Sequence, residues 1–314
     1  MSHSVSVVIP NYNGKRLLQE YLPSVFAALK HTGTDSEIIV SDDGSTDDSV
    51  KFLKETYPQI KLTLSQNNRG FSCAVNNGLK AAEKELVLLL NSDVKLTEDY
   101  FASQWKYFEK PYTFGVMGSI WTEDGKRLMD AAKFPVWKGG QLKTTVNYTL
   151  KHKSTNPSLT LFLSGANALV NREKLMKLGG MDERYSPYYM EDVDLSVRAW
   201  RMGWKCYYEP DAMCYHKLSE TISTHNSSEK VRHVSKRNKF LFHDTHLENG
   251  KRLMWKMENA LNLCFRWLIL DLAYYRTYSA FRKIRKSESI FPVSLENVTS
   301  KILGASKGLE KELF

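Results

Sequence analysis

The run Glu85-Leu86-Val87-Leu88-Leu89-Leu90-Asn91-Ser92-Asp93 passes without interruption from apolar residues to an amide, a hydroxyl and a carboxylate. A run this short and this apolar reads as a strand buried on both faces. A carboxylate directly after it sits at the strand's C-terminal edge, where open α/β sheets take up their ligands. Asp93 is thereby placed to meet a metal ion or a phosphate-bearing substrate.

Upstream, Val5–Ile9 is a β-branched run stopped by Pro10 and Asn11, and Leu17 to Leu29 carries apolar residues at helical spacing. Glu37-Ile38-Ile39-Val40 is a second strand, closed by Asp42-Asp43-Gly44-Ser45-Thr46-Asp47-Asp48, where Ser45 or Thr46 is suited to cap a helix running to Tyr57. Lys61–Ser65 gives a third strand and Gly70–Glu83 a helix, so Leu86–Leu90 is the fourth strand. Repeated β-α-β units with short connections predict an α/β fold, a mostly parallel, Rossmann-like sheet covered by helices on both faces. Downstream, Phe114–Ser119 and Leu161–Val170 read as further strands, with Gly165-Ala166-Asn167 ending one of them. The polar stretch Lys151-His152-Lys153-Ser154-Thr155-Asn156-Pro157 between them reads as a loop.

Composition bounds the partners. With 314 residues, 42% of them hydrophobic, the chain buries a full core. Cys73, Cys206, Cys214 and Cys264 form no C-x-x-C pair, which argues against a disulfide framework and a zinc ribbon and for reduced thiols in a cytoplasmic protein. No apolar run approaches the roughly 18 residues of a membrane span, and no secretory leader is recognisable. The formal charge of +9 is concentrated in the last hundred residues, which favours phosphate-bearing partners in general.

The sheet predicts a nucleotide site, yet the glycine-rich G-x-G-x-x-G and P-loop fingerprints are missing. Asp42, Asp43 and Asp93 would instead line the crevice. Carboxylates facing a phosphate need a divalent cation between them, and hard oxygen ligands suit Mg²⁺ or Mn²⁺.

Taken in order, Val7-Val8-Ile9-Pro10-Asn11-Tyr12-Asn13-Gly14, Ser41-Asp42-Asp43-Gly44-Ser45-Thr46-Asp47, Asn68-Arg69-Gly70-Phe71, Asn76-Asn77-Gly78 and Leu90-Asn91-Ser92-Asp93-Val94 resemble the family 2 glycosyltransferases of the GT-A fold. In the second half, Gly179-Gly180-Met181-Asp182-Glu183 and Glu191-Asp192-Val193-Asp194-Leu195, followed by Arg198, Gly203-Trp204, Pro210 and His216, resemble the branch containing rhamnosyl- and galactofuranosyltransferases. The match runs from about residue 4 to about residue 245. It divides the chain into a GT-A domain over 1–245 and a C-terminal helical extension over 246–314.

The resemblance implies an inverting, metal-dependent enzyme that moves a sugar from a nucleotide-diphosphate sugar to a glycan or lipid-linked acceptor in cell-surface polysaccharide synthesis. It implies nucleotide contacts at Pro10, Asn11, Asp42, Arg69, Gly70 and Asn76, although Asp42 is equally suited to capping its own turn and Asn76 to a local hydrogen bond. Asn91 stands where the family's D-x-D pattern has its first Asp, keeping a carbonyl ligand but losing a charge. Donor and metal binding then rest on Asn91, Asp93 and His216. Asp192 corresponds to the family's base, which accepts the acceptor hydroxyl's proton. Glu191 would orient Asp192 or contact the acceptor. The acidic group also favours the N-terminus of a helix over Val193–Met202, with Asp194 and Arg198 forming an i,i+4 pair.

From about Leu247 aromatic and basic residues interleave, and 251–286 reads as one or two amphipathic helices. Such helices suit an anionic membrane interface, packing on the catalytic domain, or a second copy of the chain as a homodimer. Ser294–Phe314 reads as a weak helix with a frayed end. The competing readings are a non-catalytic basic scaffold, a degenerate transferase that binds donor without turnover, and a nucleotidyltransferase, which Pro10–Gly14 does not suit. Nucleic acid is not an expected partner.

Overall fold

A computed structural model of the protein describes residues 3–150, 158–217, 227–285, 290–305 and 311–313. The expected loop at 151–157 lies outside them.

The first half follows the predicted alternation. Strand β1 (Val5–Asn11), helix α1 (Lys15–Thr32), β2 (Ser36–Asp42), α2 (Ser49–Thr56), β3 (Lys61–Leu64), α3 (Phe71–Ala81) and β4 (Leu86–Leu90) come in that order. β1 pairs in parallel with both β2 and β4, and β2 with β3. Side chains alternate across these strands as the pleat requires. Val8, Ile39, Val87 and Leu89 join one apolar cluster, with Val75 and Leu79 of α3. Val7, Ile9, Val40, Leu88 and Leu90 join the other, with Leu18, Leu22 and Val25 of α1 and Leu53 of α2. Both faces are therefore sealed, and ligands are left the ends of the strands.

The second half adds β5 (Val94–Leu96), α4 (Trp105–Phe108), β6 (Thr113–Thr122), β7 (Leu128–Asp130), β8 (Ala132–Lys138), β9 (Gln141–Leu150), β10 (Ser158–Leu159), β11 (Asn167–Asn171), α5 (Arg172–Lys177), a 3₁₀ turn at Glu183–Tyr185, α6 (Glu191–Arg201) and β12 (Lys205–His216). The path through the main sheet is β10-β12-β6-β11-β4-β1-β2-β3, with β5 on β12 and β7 on β6. β11 is antiparallel to both β4 and β6, whereas β12 runs parallel to β6. The sheet is thus parallel over β1 to β4 and mixed beyond β4. The chain leaves β1 toward β2 and β3, then returns to place β4 on β1's other side. That reversal opens a crevice at the C-terminal ends of β1 and β4.

Four local expectations need correction. The strand expected over Leu161–Val170 is confined to Asn167–Asn171: Leu161 and Leu163 are buried, but their backbone N–H groups go to two different elements, Lys133 O of β8 and the Ser196 hydroxyl of α6, so no continuous ladder forms. Gly165 and Ala166 therefore precede β11 rather than end a strand. α2 starts at Ser49, because Ser45 and Thr46 are tied to Asn13 in the turn after β1. The expected helix at Val193–Met202 begins two residues earlier and ends at Arg201.

Beyond β12 lie α7 (Ser228–His246), α8 (Asn249–Leu268), α9 (Leu272–Ile284), α10 (Leu295–Ala305) and β13 (Lys311–Leu313). The basic, aromatic stretch is thus two helices, and the end of the chain is a helix followed by a short strand on β9. One apolar cluster runs from Val8 and Leu89 through Trp200 to Phe240, Trp255, Phe281 and Ile302. The boundary expected at 245/246 falls at the last residue of α7.

Candidate active site

The crevice is a cleft of about 780 Å³, enough for a nucleotide carrying a sugar. Its floor comes from strand ends: Pro10, Asn11 and Tyr12 after β1, Asp43 after β2, and Asn91, Ser92 and Asp93 after β4. Gly70 and Phe71 at the start of α3 form one wall. Ser164, Gly165 and Ala166 form another, and the loop 187–189 with Glu191 and Asp192 closes the third. His216 and Lys230 also line the cleft.

The two adjacent aspartates after β2 have different surroundings. Asp42 accepts from Ser45 N at 2.9 Å and from Asn11 Nδ2 at 2.8 Å, so both its oxygens are used inside the turn, and it does not line the cleft. Asp42, expected to contact a nucleotide, is thus occupied within the protein, and of the two aspartates it is Asp43 that lines the cleft. Asp43 Oδ2 accepts from Arg69 N at 2.9 Å and Gly70 N at 2.7 Å, while Oδ1 has no partner. Burial pushes the Asp43 carboxyl above its ordinary range, against the pull of those two amides.

Gly70 lies at a close approach of protein backbone. Its φ is +95°, and a Cβ there would lie 2.6 Å from Pro187 Cα. Phe71 N also donates to Pro187 O at 2.9 Å, so the start of α3 is locked onto the loop leading to Asp192. The Arg69 side chain turns away from the cleft to Glu183 at 2.9 Å. Asn76 is likewise outside it: its amide closes a two-way bond with Met181 backbone, at 2.9 Å and 2.8 Å, and fixes the turn after Gly180. Both are corrections to the expected nucleotide contacts.

At the end of β4, Asn91 Oδ1 is buried without a partner. His216 closes β12, paired in register with Val94 of β5, which brings its ring over the chain just past Asp93. Nε2 stands 3.1 Å from Asp93 Oδ1, close enough for an ion pair, yet it makes no hydrogen bond. Two such groups side by side, with an unpartnered amide oxygen nearby, fit the edge of a hard divalent cation. Among the described residues no group of three His, Cys, Asp or Glu side chains converges, so the remaining ligands of such an ion would come from a phosphate and water. Cys214 does not compete, because its sulfur is engaged by Asn167 Nδ2 and Ser119 O.

Glu191 and Asp192 open α6 from a constrained backbone. Tyr189 and Met190 both hold positive φ, 74° and 76°, a conformation costing on the order of 1 kcal/mol or more for each. α7 holds them there: Asn238 Nδ2 donates to the carbonyls of Tyr185, Tyr188 and Tyr189 at 2.6 to 2.9 Å, and Arg237 reaches the Ser186 carbonyl. The next two carboxyls then point into the cleft. Asp192 accepts from Val193 N at 2.8 Å and Gly165 N at 3.4 Å. Glu191 Oε2 has no partner. Burial raises both carboxyls above their ordinary range, and for Glu191 the neighbouring Asp192 charge adds to it. The pair shares its titration. Backbone amides favour both anions, but the rise from burial and the neighbouring charge is larger at Glu191, which therefore keeps its proton to higher pH than Asp192.

Asp194 is structural, as the i,i+4 spacing predicts. It meets Arg198 at 2.7 Å, His246 Nε2 at 2.9 Å and Tyr185 OH at 3.2 Å, and these partners hold its carboxyl well below the usual range despite burial. The sequence reading missed Tyr188, Tyr189, Lys230 and the supporting Asn238. An aromatic pair directly before the acidic motif was the available signal for the tyrosines.

Comparison with known proteins agrees with this geometry. An N-acetylglucosaminyl-diphospho-decaprenol L-rhamnosyltransferase of Mycobacterium tuberculosis is 28% identical over 251 residues, which cover 70% of this chain and 78% of that protein. A poly-beta-1,6-N-acetyl-D-glucosamine synthase of Staphylococcus aureus is 25% identical over 229 residues, 69% of this chain but 51% of that protein. The fold is shared with GalNAc-T7 solved with UDP, GalNAc and Mn²⁺, at a TM-score of 0.60 and 18% identity over 79% of this chain and 48% of that one. It is also shared with a mannosyltransferase from Pyrobaculum calidifontis in complex with GDP-Man and Mn²⁺, at a TM-score of 0.55 and 19% identity over 98% of this chain and 80% of that one. The family model "Glycosyl transferase family 2" matches residues 6–179, more than half of the 314, and the chain belongs to that family.

Proposed function

We propose that the protein is an inverting glycosyltransferase that takes a sugar from a nucleotide-diphosphate donor and places it on a glycan or lipid-linked acceptor in cell-envelope polysaccharide synthesis, working at the cytoplasmic face of the membrane. The observation that carries this reading is the placement of Asp192, a carboxylate with a raised pKa, in the same cleft as the Asp93–His216 pair. The lipid-linked acceptor is supported by the name of the mycobacterial relative, and a divalent cation by the Mn²⁺ of the two solved neighbours.

In this reading the nucleotide lies over Pro10, Asn11 and Asp43, with the unpartnered Asp43 Oδ1 accepting from a donor group of the base. Asn91, Asp93 and His216 face the diphosphate and would hold Mg²⁺ or Mn²⁺, which when bound neutralises charge building on the departing diphosphate. The sugar fills the space beside Gly165 and Ala166. Ionised Asp192 accepts the acceptor's hydroxyl proton as that oxygen bonds to the anomeric carbon; the bond from that carbon to the diphosphate oxygen breaks, and the nucleoside diphosphate leaves. Attack opposite the leaving group inverts the anomeric centre. Neutral Glu191 keeps a second charge away from Asp192 and donates a hydrogen bond toward the acceptor. The α6 ion pair of Asp194 holds the helix that carries both.

Thermal stabilisation by UDP-, dTDP- and GDP-sugars, each with and without Mn²⁺ or Mg²⁺, tests the reading. The expected result is a metal-dependent rise with one nucleotide, followed by turnover of that donor. Equal behaviour with all donors and no dependence on metal would overturn it in favour of a non-catalytic protein.

A further inference from the structure

The C-terminal helices carry apolar surface that nothing among the described residues covers. At the corner between α8 and α9, Trp267, Leu268, Ile269, Leu270 and Leu272 are 54% to 75% exposed. Back along α8, Leu253, Met257, Leu261 and Phe265 recur every four residues and are 57% to 70% exposed, while Trp255 and Asn259 on the other side of the helix are buried. Patches of this size on a folded chain mark an interaction surface.

The corner is held, not frayed. Leu270 N donates to Trp267 O, Asp271 N to Arg266 O, and the Arg266 guanidinium meets Asp271 at 2.8 Å. Tyr275 OH donates to Leu263 O and folds α9 back on α8. Leu270 takes a positive φ of 52° to make the turn, an unfavourable conformation for leucine that puts an apolar side chain outermost.

We propose that this corner inserts into the interfacial layer of an anionic membrane. Four consecutive apolar side chains around a turn project in diverging directions, so a flat protein face would cover only some of them, whereas a lipid phase accepts all. The charges fit the same occupant. Arg276 lies one helical turn beyond Leu272, Lys283 two turns further, and Lys256 beside Met257, all exposed. The nearby acids are spent internally, Asp271 on Arg266 and Glu258 on Gly140 N. An apolar tip with a cationic collar matches acyl chains beneath anionic headgroups. No described helix is long and apolar enough to cross a membrane, so the contact is superficial insertion. The inference gives the lipid-linked acceptor of the proposed reaction a docking surface and so deepens that reading, but vesicle binding is measured without donor or turnover, and the two fail separately.

The test is flotation of the full chain with vesicles of phosphatidylcholine alone or mixed with phosphatidylglycerol. Wild type should float with the mixed vesicles at least tenfold more than with phosphatidylcholine alone, and added salt should reduce this. The double variant Leu268→Asp, Leu270→Asp should lose about tenfold or more in binding, and Arg276→Glu part of it, with circular dichroism and donor-induced stabilisation unchanged. Brominated lipid should quench tryptophan emission in wild type, and less in Trp267→Phe. Equal flotation of wild type and the double variant would overturn the proposal. So would a wild type that ignores vesicles, including one that is a dimer which the double variant converts to monomer, since the corner would then bind a second copy.

Discussion

Asp93 Oδ1 and His216 Nε2 stand 3.1 Å apart at the ends of two different elements and are not hydrogen-bonded to each other. Convergence without mutual satisfaction suits two ligands aimed at a third party. His216→Ala should therefore lower kcat/KM by about 100-fold and abolish the metal-dependent part of donor stabilisation, as loss of groups that hold a metal commonly does. Asp93→Asn should do the same, because its loss removes the only full negative charge of the Asn91-Ser92-Asp93 turn. Thermal shift with donor, with and without Mn²⁺, checks both; an undiminished metal effect in His216→Ala would remove that residue from the site.

Asp192→Asn keeps size and hydrogen-bonding shape but cannot accept the proton. The expected result is a fall in kcat of about 10³, with donor binding changed by less than about twofold. Steady-state turnover and donor titration separate the two effects. Near-normal turnover would transfer the base role elsewhere.

The pH profile follows from the raised pKa values. The base works ionised, so turnover should rise with pH through an acid limb lying above the ordinary carboxylate range. Because the proton resides on Glu191, Glu191→Gln should leave that acid limb in place. For stability the sign is opposite: a carboxyl raised in the folded state binds more protons there than in the unfolded chain, so the pair's contribution falls as pH rises through its titration. Kinetics and urea melts across acid to neutral pH would read both signs.

Asp194 behaves in the reverse way. Its depressed pKa means that its stabilising contribution is present above the unfolded carboxylate value and is lost as pH falls toward the folded one. Asp194→Asn strands Arg198 and His246 and should cost on the order of 3–5 kcal/mol in chemical denaturation. A loss below about 1 kcal/mol would mean that the buried ionic group is nearly neutral in the energy balance.

Asn238 is a positioning residue: its amide donates to the carbonyls of Tyr185, Tyr188 and Tyr189, and its Oδ1 accepts from Arg237, which holds the same loop. Asn238→Ala should lower kcat about tenfold while the donor KM stays within about twofold, because the base moves and the strand-end floor does not. A change in melting temperature alone, with kcat intact, would reduce Asn238 to a purely structural part.

The strand ends were legible because a buried parallel strand has one reading: Leu86–Leu90 is apolar throughout and Asp93 follows at once. Order among the motifs singled out Asp192 and His216, and both line the cleft. What failed was the assignment of side chains within a motif. Asp42 and Asp43 are adjacent and chemically identical, and only the fold shows that Asn11 and Ser45 consume the first and leave an oxygen of the second. Asn76 and Arg69 were lost for the same reason, their partners Met181 and Glu183 lying about a hundred residues away. The segment 161–166 was misread because burial under α6 gives the same apolar pattern as burial in a sheet.

Arg201, at the far end of α6 from Asp192, is buried and donates to the carbonyls of His246 and Val293 while pairing with Glu248. The helix that carries Asp192 is thus bolted at one end to the chain beyond 245. A graft that replaces the C-terminal helices should therefore bring its own receptor for that guanidinium, since otherwise it releases the helix that carries Asp192.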